Sequence, residues 1–507
     1  MSIPIIKLRD NRTGNNALCF RIQDGGIYIS SSKDNTDGLD GQKIEEHACR
    51  MLEAFGTKSL NDLSDEAGYA LVLLDDTHVN VSDRKGQTFF TFKKKENEFR
   101  LETGNLMGAL RFHDKAKGTS VQVEILSRFD KGDNNFFLNY LLSKVFDFAL
   151  GTETVAAKRS SLLEILLDVV FVRRFGDASR AGLLRHYREF RNNDWNFKGS
   201  LDFARHIREN IPLTHGIAYR KREIDLDVPV NRMILMAALT VNRRHPGFFE
   251  KNRDAADALR LLRMGVTEER NLHTLISHRD CRKQISHPFF REVWEPLRQI
   301  ARMILTDEQW TLFPKGTTAE EVSGIVFDGA WLWEEYVAKV LETVGFMHCT
   351  ERILPVFQGG VARFKPDFYR DGIDMSNDKL SNRIVLDAKY KRSNPFGGRD
   401  DVHQMLCYLL LTGAKTGGLI FPPIDDKCED KESITALENG TEGTVGIDGN
   451  GNLTQWSNRR AIASPYSTAG KCIWWKCFSW APPPEGKDWN AFVTYMQEQE
   501  TKLRNGL

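Results

Sequence analysis

Residues 383–392 read Arg-Ile-Val-Leu-Asp-Ala-Lys-Tyr-Lys-Arg. The apolar run from Ile384 to Leu386 predicts a buried strand. The same strand then carries Asp387 and Lys389, and residues two positions apart in a strand lie on one face. A charge on the face of a buried strand is costly unless it is paired or binds a metal ion. We therefore predict that this strand brings a carboxylate and an ammonium group to a polar site.

A second carboxylate is predicted beside the first. The segment Phe-Lys-Pro-Asp-Phe-Tyr-Arg-Asp-Gly (364–372) predicts a strand that leads into a turn, and a hairpin with the following strand sets Asp367 beside Asp387. Together with the Ala388 carbonyl, these groups form an all-oxygen site that suits Mg²⁺, with Mn²⁺ as a substitute. Such an ion polarises a phosphodiester and activates water, and Lys389 can stabilise the developing charge.

Two predicted helices flank these strands. The upstream helix carries Glu334, and the downstream helix carries Gln404 and Tyr408 four residues apart on one face. The predicted order is α-β-β-β-α-β. This order, with Pro-Asp and Asp-x-Lys in its strands, predicts a nuclease core of the PD-(D/E)xK type. The Asp-x-Lys pattern alone is weak evidence for a nuclease, since an ordinary surface Asp–Lys pair gives it too. Lys391 continues the same strand face as Lys389. His403 is expected on a helix surface.

The chain is predicted to be multidomain α+β, because 507 residues exceed what one hydrophobic core accommodates. Short apolar runs between turn residues predict a β-rich domain over 1–150. Helical periodicity predicts a helical domain over 151–312, including a helix over 181–191. After the linker 313–318, the nuclease domain is expected over 319–507. Arginines are dense between 173 and 244, which is typical either of solvated helix faces or of a docking surface for an acidic partner or phosphates.

Composition limits the class of protein. The chain has 70 Lys and Arg against 69 Asp and Glu, so contact with nucleic acid must come from local basic patches. Its eight cysteines form no C-x-x-C pair, which argues against a zinc ribbon or a disulfide framework and fits a reducing compartment. No apolar run approaches the ~20 residues of a membrane span, and the N-terminus has no secretory apolar core. We expect a cytoplasmic protein with no membrane association.

Several segments, in order, resemble the McrC endonuclease subunit of McrBC-type, modification-dependent (type IV) restriction systems. The resemblance spans roughly residues 155–507. Its segments are LLEILLDVVFVRR (162–174), FKGSLDFARHIR (197–208), VNRMI (230–234), LWEEYVAKVL (332–341), KPDF (365–368), VLDAKYK (385–391), HQMLCYLL (403–410) and GGLIFPP (417–423).

The resemblance implies specific roles. Glu334, Asp367 and Asp387 would form the acidic metal site, Lys389 would be the catalytic lysine, and Gln404 and Tyr408 would support them. It also implies a partner, an McrB-like AAA+ ring that hydrolyses GTP, moves on DNA and reads the modified base. The substrate would be double-stranded DNA that carries modified cytosine, of the 5-methylcytosine type. Separately, one active site per chain hydrolyses one strand at a time, which favours pairing of nuclease domains for double-strand cleavage.

The sequence agrees with a separate motor and leaves alternatives open. No G-x-x-x-x-G-K-[ST] loop is present, so an NTPase must be another polypeptide, and residues 185–222 are the candidate ring contact. Two features depart from the family: compact members lack the first 150 residues, and Ser200 stands where an arginine commonly follows Lys-Gly. The alternatives are a standalone restriction or repair nuclease whose N-terminal domain binds DNA, and a non-catalytic subunit that activates an NTPase. Which modification is recognised is not encoded here.

Overall fold

The structure is a computed structural model of the chain. It describes residues 5–505 except for segments 15–16, 24–25, 31–42, 45, 68–70, 74–85, 96–97, 115–118, 131–134, 149–161, 213–215, 308–319, 350–353, 356–362, 371–383, 392–398, 413, 415, 425–433, 439–440, 446–458, 462–471 and 480–488.

The N-terminal region contains two five-stranded sheets. Its elements are β1 (Ile5–Arg9), β2 (Leu18–Gln23), β3 (Gly26–Ser30), β4 (Lys43–Ile44), α1 (Glu46–Phe55), α2 (Leu60–Ala67), β5 (Leu71–Leu73), β6 (Phe90–Lys95), β7 (Glu98–Thr103), β8 (Leu106–Asp114), β9 (Thr119–Leu126) and α3 (Phe136–Val145). One sheet has the order β4-β3-β2-β7-β6. In β7 every second residue is buried, including Phe99 and Leu101, as expected for a strand with one face on a core. Strands therefore outnumber helices among the elements described in this region.

The other N-terminal sheet includes a strand from far along the chain. Its order is β1-β9-β8-β13-β5, where β13 is Glu320–Asp328. β13 pairs antiparallel with the whole of β8 and parallel with β5. The backbones of β13 and β8 approach closely at Gly324, where φ is +152° and an added Cβ would lie 2.1 Å from the Ala109 carbonyl oxygen. The predicted boundary at 319 therefore does not separate two sheets, because strand pairing crosses it.

Helices dominate the middle region. They are α4 (Leu162–Arg180), α5 (Phe203–Asn210), α6 (Pro229–Arg244), α7 (Arg253–Gly265), α8 (Leu272–Ser277), α9 (Arg279–Arg282) and α10 (Pro288–Asp307), with a 3₁₀ turn at Pro246–Phe248. α4 packs against α7 and α10, and the fully buried Trp294 of α10 lies in this core. The Asn252 side chain caps α7 by accepting a hydrogen bond from the Ala255 amide at 3.0 Å.

The helix predicted over 181–191 is wrong. Residues from His186 onward form β10 (His186–Asp194), which pairs along its whole length with β12 (Ile217–Asp225), and β11 (Ser200–Leu201) adds a third strand. The helical spacing of apolar residues was misleading because no residue of β10 is buried. β10 therefore has no core face of its own, and the hydrophobic period of such a strand carries no information on its secondary structure.

The C-terminal region is built around a six-stranded mixed sheet of order β14-β17-β18-β19-β23-β22. Its elements are α11 (Gly329–Glu342), β14 (Met347–His348), β15 (Leu354–Pro355), β16 (Arg363–Phe364), β17 (Phe368–Arg370), β18 (Ile384–Ala388), α12 (Arg399–Thr412), β19 (Thr416–Ile424), β20 (Ile434–Glu438), β21 (Thr441–Val445), β22 (Arg459–Ala461), β23 (Cys472–Ser479) and α13 (Trp489–Asn505). β15 with β16, and β20 with β21, form separate two-stranded ribbons. Helices and sheets thus occur together, as predicted.

Two hydrophobic cores hold the strand pair β17–β18. Leu386 and Tyr390 belong to the large core shared with the N-terminal and middle regions, whereas Val385 packs with Met405 and Leu409 of α12 in a smaller one. The strand is therefore covered on both faces, as its continuous apolar run predicted. No helix in the described ranges is long and apolar enough to cross a membrane.

Candidate active site

Asp367 and Asp387 lie side by side where β17 begins and β18 ends. The two strands are antiparallel, with Phe368 opposite Leu386, so the residues that flank this pair are also neighbours. The Ala388 amide donates a hydrogen bond of 2.8 Å to Asp367 Oδ2. Asp387 is only 2% exposed, and Asp367 is partly buried. The hairpin geometry predicted from the sequence therefore brings both carboxylates to one place.

This carboxylate pair carries unfavourable electrostatic energy. Burial raises the pKa of Asp367 well above its usual range, and the negative charges of Asp387 and Glu334 raise it further. Burial also raises the pKa of Asp387, against the opposing effect of Lys389. Like charges held together at low exposure favour either protonation or a bound cation. The site is therefore electrostatically suited to a divalent ion.

Lys389 supplies the cation nearest to this pair. Its Nζ lies 2.5 Å from Asp387 Oδ2 and donates a hydrogen bond of 2.7 Å to Gln404 Oε1. Burial disfavours the charged form of Lys389, but the carboxylates of Asp387 and Asp367 outweigh that effect and raise its pKa. The side chain is therefore an ammonium group, aimed at the acidic pair from the end of the same strand.

Gln404 and Tyr408 hold Lys389 through a chain of hydrogen bonds. Gln404 Nε2 donates to the Tyr408 hydroxyl at 2.8 Å, and that hydroxyl donates to the Lys365 carbonyl at 2.7 Å. Lys365 precedes Asp367 by two residues, so the chain ties α12 to the strand that bears the first aspartate. The side-chain amide of Gln404 therefore accepts from Lys389 and donates to Tyr408. Gln404 and Tyr408 thus belong to the same chain of hydrogen bonds as Lys389.

Glu334 approaches the site from α11. Its neighbour Trp333 donates through Nε1 to the Ile420 carbonyl at 3.2 Å, and the same carbonyl accepts the Lys389 amide at 2.8 Å. Glu334 Oε1 lies 2.8 Å from Nε2 of His348. His348 was missed by the sequence reasoning. The only available signal was its place in the short strand after α11, where a chain reversal brings it back beside the helix.

The acidic groups are chemically suited to a metal ion, although they do not form a complete set of metal ligands. Among the residues that the structure describes, no three His, Cys, Asp or Glu side chains converge as metal ligands. Asp367 and Asp387 supply hard carboxylate oxygens, the donors that Mg²⁺ and Mn²⁺ prefer. Mg²⁺ usually keeps several waters and takes only one or two protein carboxylates, so a pair of aspartates is a sufficient core.

Two residues near the site lie at its edge. Lys391 is exposed, and its Nζ is 2.5 Å from Asp401 Oδ2 on the first turn of α12. His403 is exposed on α12, as expected for a surface histidine. Lys391 is therefore bound to the helix rather than to the acidic pair.

Comparison with known families gives this geometry a context. The family described as "McrBC 5-methylcytosine restriction system component" matches residues 101–422, more than half of the chain. The chain belongs to this family. The McrBC match includes Glu334, Asp367, Asp387, Lys389, Gln404 and Tyr408, and it begins earlier than the resemblance that we recognised from residue 155.

Two solved structures are also similar to the chain. One is described as a half-complex from a tetradecameric assembly of Thermococcus gammatolerans McrB AAA+ hexamers with bound McrC, with 13% identity, a TM-score of 0.43, and coverage of 98% of this chain and 100% of that chain. The other is the Thermococcus gammatolerans McrBC complex, with 14% identity, a TM-score of 0.30, and coverage of 67% and 87%. No curated protein matches the sequence. The McrBC assignment rests on the family match.

A second feature within the McrBC match is an exposed ribbon formed by β10, β11, β12 and α5, which we call the arginine ribbon (residues 186–225). Large apolar side chains are exposed on it: Tyr187 is 73% exposed, Phe203 68% and Trp195 62%. Arg220 bonds Asp202 at 2.9 Å, and Arg222 is exposed. Ser200, the family departure, pairs with Arg220 in the strand register. Aromatic residues and arginines exposed together are typical of protein interfaces.

Proposed function

We propose that this McrBC-family chain is a metal-dependent DNA endonuclease subunit with a PD-(D/E)xK site, which works with an McrB-like AAA+ GTPase. One observation carries the proposal. Asp367 and Asp387 meet at the ends of two paired strands with the ammonium group of Lys389 2.5 Å from the second carboxylate. Two carboxylates that can hold a metal ion and a lysine that can stabilise charge on the phosphate suit metal-dependent phosphodiester hydrolysis.

The residues divide the work as follows. Asp367 and Asp387 would hold the ion, with Glu334 and the Ala388 carbonyl as further ligands. Bound Mg²⁺ supplies an activated water and neutralises charge on the phosphate. The Ala388 amide orients Asp367, and Lys389 stabilises the negative charge that develops on the phosphate oxygens. Gln404 and Tyr408 keep the ammonium group in place.

The proposed partner is a GTPase ring, for three reasons. The sequence has no P-loop, so nucleotide hydrolysis must come from another chain. The family is described as a component of a restriction system, which implies that the system has at least one other component. The arginine ribbon offers exposed aromatic and basic groups suited to a protein surface. We infer that the ribbon, which overlaps the predicted contact at 185–222, meets the ring.

The substrate follows from the family description, which names 5-methylcytosine restriction. We propose that the partner reads the modified cytosine and that this chain cleaves the DNA. One active site per chain hydrolyses one strand at a time, so two nuclease domains would pair to cut both strands. The described residues include one such acid–acid–lysine site.

A mixing experiment tests the proposal. The purified chain and Mg²⁺ are given 5-methylcytosine plasmid, with and without the neighbouring AAA+ subunit and GTP. Cutting that needs both proteins and GTP supports the proposal. Robust cutting by the chain alone would favour a standalone nuclease, and stimulation of GTP hydrolysis without any cutting would favour a non-catalytic activator.

Two active-site variants sharpen that test. Asp387→Ala and Lys389→Ala should each abolish cleavage while leaving folding and the stimulation of GTP hydrolysis intact, because both side chains lie at the acidic pair and far along the chain from the arginine ribbon. His403→Ala, an exposed neighbour on α12, is the matched control and should cut normally. Cleavage at the wild-type rate by either active-site variant would contradict the assignment.

A further inference from the structure

Tyr390 lies between two lysines of the site yet faces the N-terminal region. It is 7% exposed and belongs to the large core, whereas Lys389 before it faces the acidic pair. Residues 389–391 form a tight turn, in which the Lys391 amide donates a hydrogen bond of 2.9 Å to the Lys389 carbonyl. Any displacement of Tyr390 therefore shifts the backbone from which the Lys389 side chain extends.

The loop after β9 surrounds Tyr390 on several sides. The Arg128 guanidinium donates to the Tyr390 carbonyl and lies 4.9 Å from the centre of its ring. The Ser127 hydroxyl is 2.8 Å from the Tyr390 hydroxyl, and the Phe129 ring packs edge-on at 5.0 Å. We call Ser127, Arg128 and Phe129 with Tyr390 the tyrosine clamp. It binds the backbone and the side chain of one residue at once.

The clamp is itself fixed to the N-terminal sheet. The Arg128 amide donates to Asp10 Oδ1 at 2.6 Å, and Arg128 Nη1 lies 3.5 Å from Asp10 Oδ2. Asp10 directly follows β1, which pairs with β9. The contacts with Asp10 hold Arg128 at the edge of a sheet independently of Tyr390. Arg128 can therefore act as a rigid support for Tyr390.

The same tyrosine also touches the start of the helix that bears Glu334. A Cβ added at Gly329, the first residue of α11, would lie 2.7 Å from the Tyr390 ring. The Gly329 amide donates to the Asn105 carbonyl at 3.0 Å, just before β8. The Tyr390 side chain, which follows β18 in the chain, therefore contacts both the loop after β9 and the start of α11.

We infer that Arg128 is a positioning residue for the nuclease site: through the tyrosine clamp, the N-terminal sheet sets the backbone at Tyr390 and thereby the direction of the Lys389 ammonium group. The inference rests on the proposed nuclease function. It also gives the N-terminal region a part in the reaction without contact with DNA. Since Asp367 and Asp387 are placed by β17 and β18, loss of the clamp should affect the lysine more than the metal ligands.

The first measurement needs no cleavage. Hydrogen exchange of the full chain, read by mass spectrometry, reports the Lys389 and Lys391 amides, which bond to the Ile420 and Lys389 carbonyls. Arg128→Ala should speed their exchange about tenfold, because these bonds lose their support. Arg128→Lys keeps one donor and should give an intermediate rate. Arg100→Ala, on the other N-terminal sheet, is the matched control and should leave this exchange unchanged.

The second measurement distinguishes an effect on Lys389 from an effect on metal binding. In the complete cleavage reaction, Arg128→Ala should lower the rate constant roughly tenfold or more, since small displacements of a catalytic group are costly. The Mn²⁺ concentration for half-maximal rate and the DNA affinity should stay at their wild-type values. If Arg128→Ala does not fold, Arg128→Lys carries both measurements, with smaller changes in the same direction.

Three results would overturn the inference. They are unchanged exchange at Lys389 and Lys391 in the folded variants, an unchanged cleavage rate, and a loss of rate matched by an equal rise in the Mn²⁺ required. The last would place the effect on the aspartates. If the wild-type complex itself does not cut DNA, the proposed nuclease function fails, and the exchange measurement still decides whether the clamp holds the lysine.

Discussion

Gln404 lies between Lys389 and Tyr408, and its side chain has no other hydrogen-bonding role in the described structure than to join them. Gln404→Ala removes the acceptor for the ammonium group. We expect the cleavage rate constant to fall about tenfold, because the lysine loses one of its two partners. Single-turnover cleavage measures the effect, with His403→Ala on the same helix as control. An unchanged rate would show that Asp387 alone suffices to hold Lys389.

Tyr408 is the far end of the same chain of hydrogen bonds. Tyr408→Phe keeps the buried ring and removes the hydroxyl that bridges Gln404 and the Lys365 carbonyl. We expect a loss of about 1 kcal/mol in unfolding free energy, since buried polar groups lose a partner. Chemical denaturation measures it. The decrease in cleavage should be smaller than for Gln404→Ala, because the amide still contacts Lys389; a larger decrease would contradict this order.

The acidic pair gives a residue-scale test of metal binding that does not depend on cleavage. Asp367→Asn removes one of two neighbouring charges whose repulsion the isolated protein must accommodate. In EDTA we expect the variant to unfold about 2–4 °C higher than the wild type. Added Mg²⁺ or Mn²⁺ should stabilise the wild type and leave the variant nearly unchanged. Equal stabilisation of both proteins would exclude Asp367 as a ligand.

At the scale of elements, the arginine ribbon is the surface to test for the partner. Arg220 is a poor position for a charge reversal, because it bonds Asp202, the residue that caps α5. Arg220→Glu would therefore disturb the fold as well as the surface charge. Arg222 is exposed and is the cleaner choice. Arg222→Glu should weaken partner binding and lower the stimulation of GTP hydrolysis severalfold, because an interface charge is inverted.

The control for that experiment lies on a neighbouring helix. Arg263 is exposed on α7, so Arg263→Glu makes the same change of charge outside the ribbon. Titration of the motor with each variant, followed by GTP hydrolysis, separates a local contact from a general effect of charge. Equal stimulation by wild type and Arg222→Glu would remove this part of the ribbon from the interface.

For the whole molecule, the buried Asp10 predicts a pH dependence. Burial raises its pKa from 3.8 to about 7, against the attraction of Arg128. The folded protein then binds a proton more tightly than the unfolded chain, so this group stabilises the fold less as the pH rises from 4 to 7. Between pH 5 and 8 the cost is on the order of 3 kcal/mol.

Asp10→Asn removes this titration while keeping an oxygen that can accept the Arg128 amide. The gain in unfolding free energy of the variant over the wild type should therefore be larger at pH 8 than at pH 5. Thermal or chemical unfolding at both pH values measures it. A difference that does not change with pH would mean that Asp10 titrates normally.

The sequence determined much of the C-terminal site. The apolar run before Asp387 required a covered strand, and the Pro-Asp segment supplied the second carboxylate at a neighbouring strand end. Successive side chains of a strand point to opposite faces, so Asp387 and Lys389, two positions apart, were expected on the same face. These are local consequences of short stretches, and they needed no knowledge of the remaining chain.

Long-range pairing was decided only by the tertiary structure. Nothing in the sequence near 320 indicates that β13 completes a sheet with β8, since the partners are more than 200 residues apart. The contacts of Glu334 with His348, and of Tyr390 with Arg128, likewise join segments that share no local pattern. The exposed strand at His186–Asp194 was misread because secondary structure there follows from pairing with β12 and not from burial. Local sequence encodes which face is apolar, whereas the partner of that face depends on the whole chain.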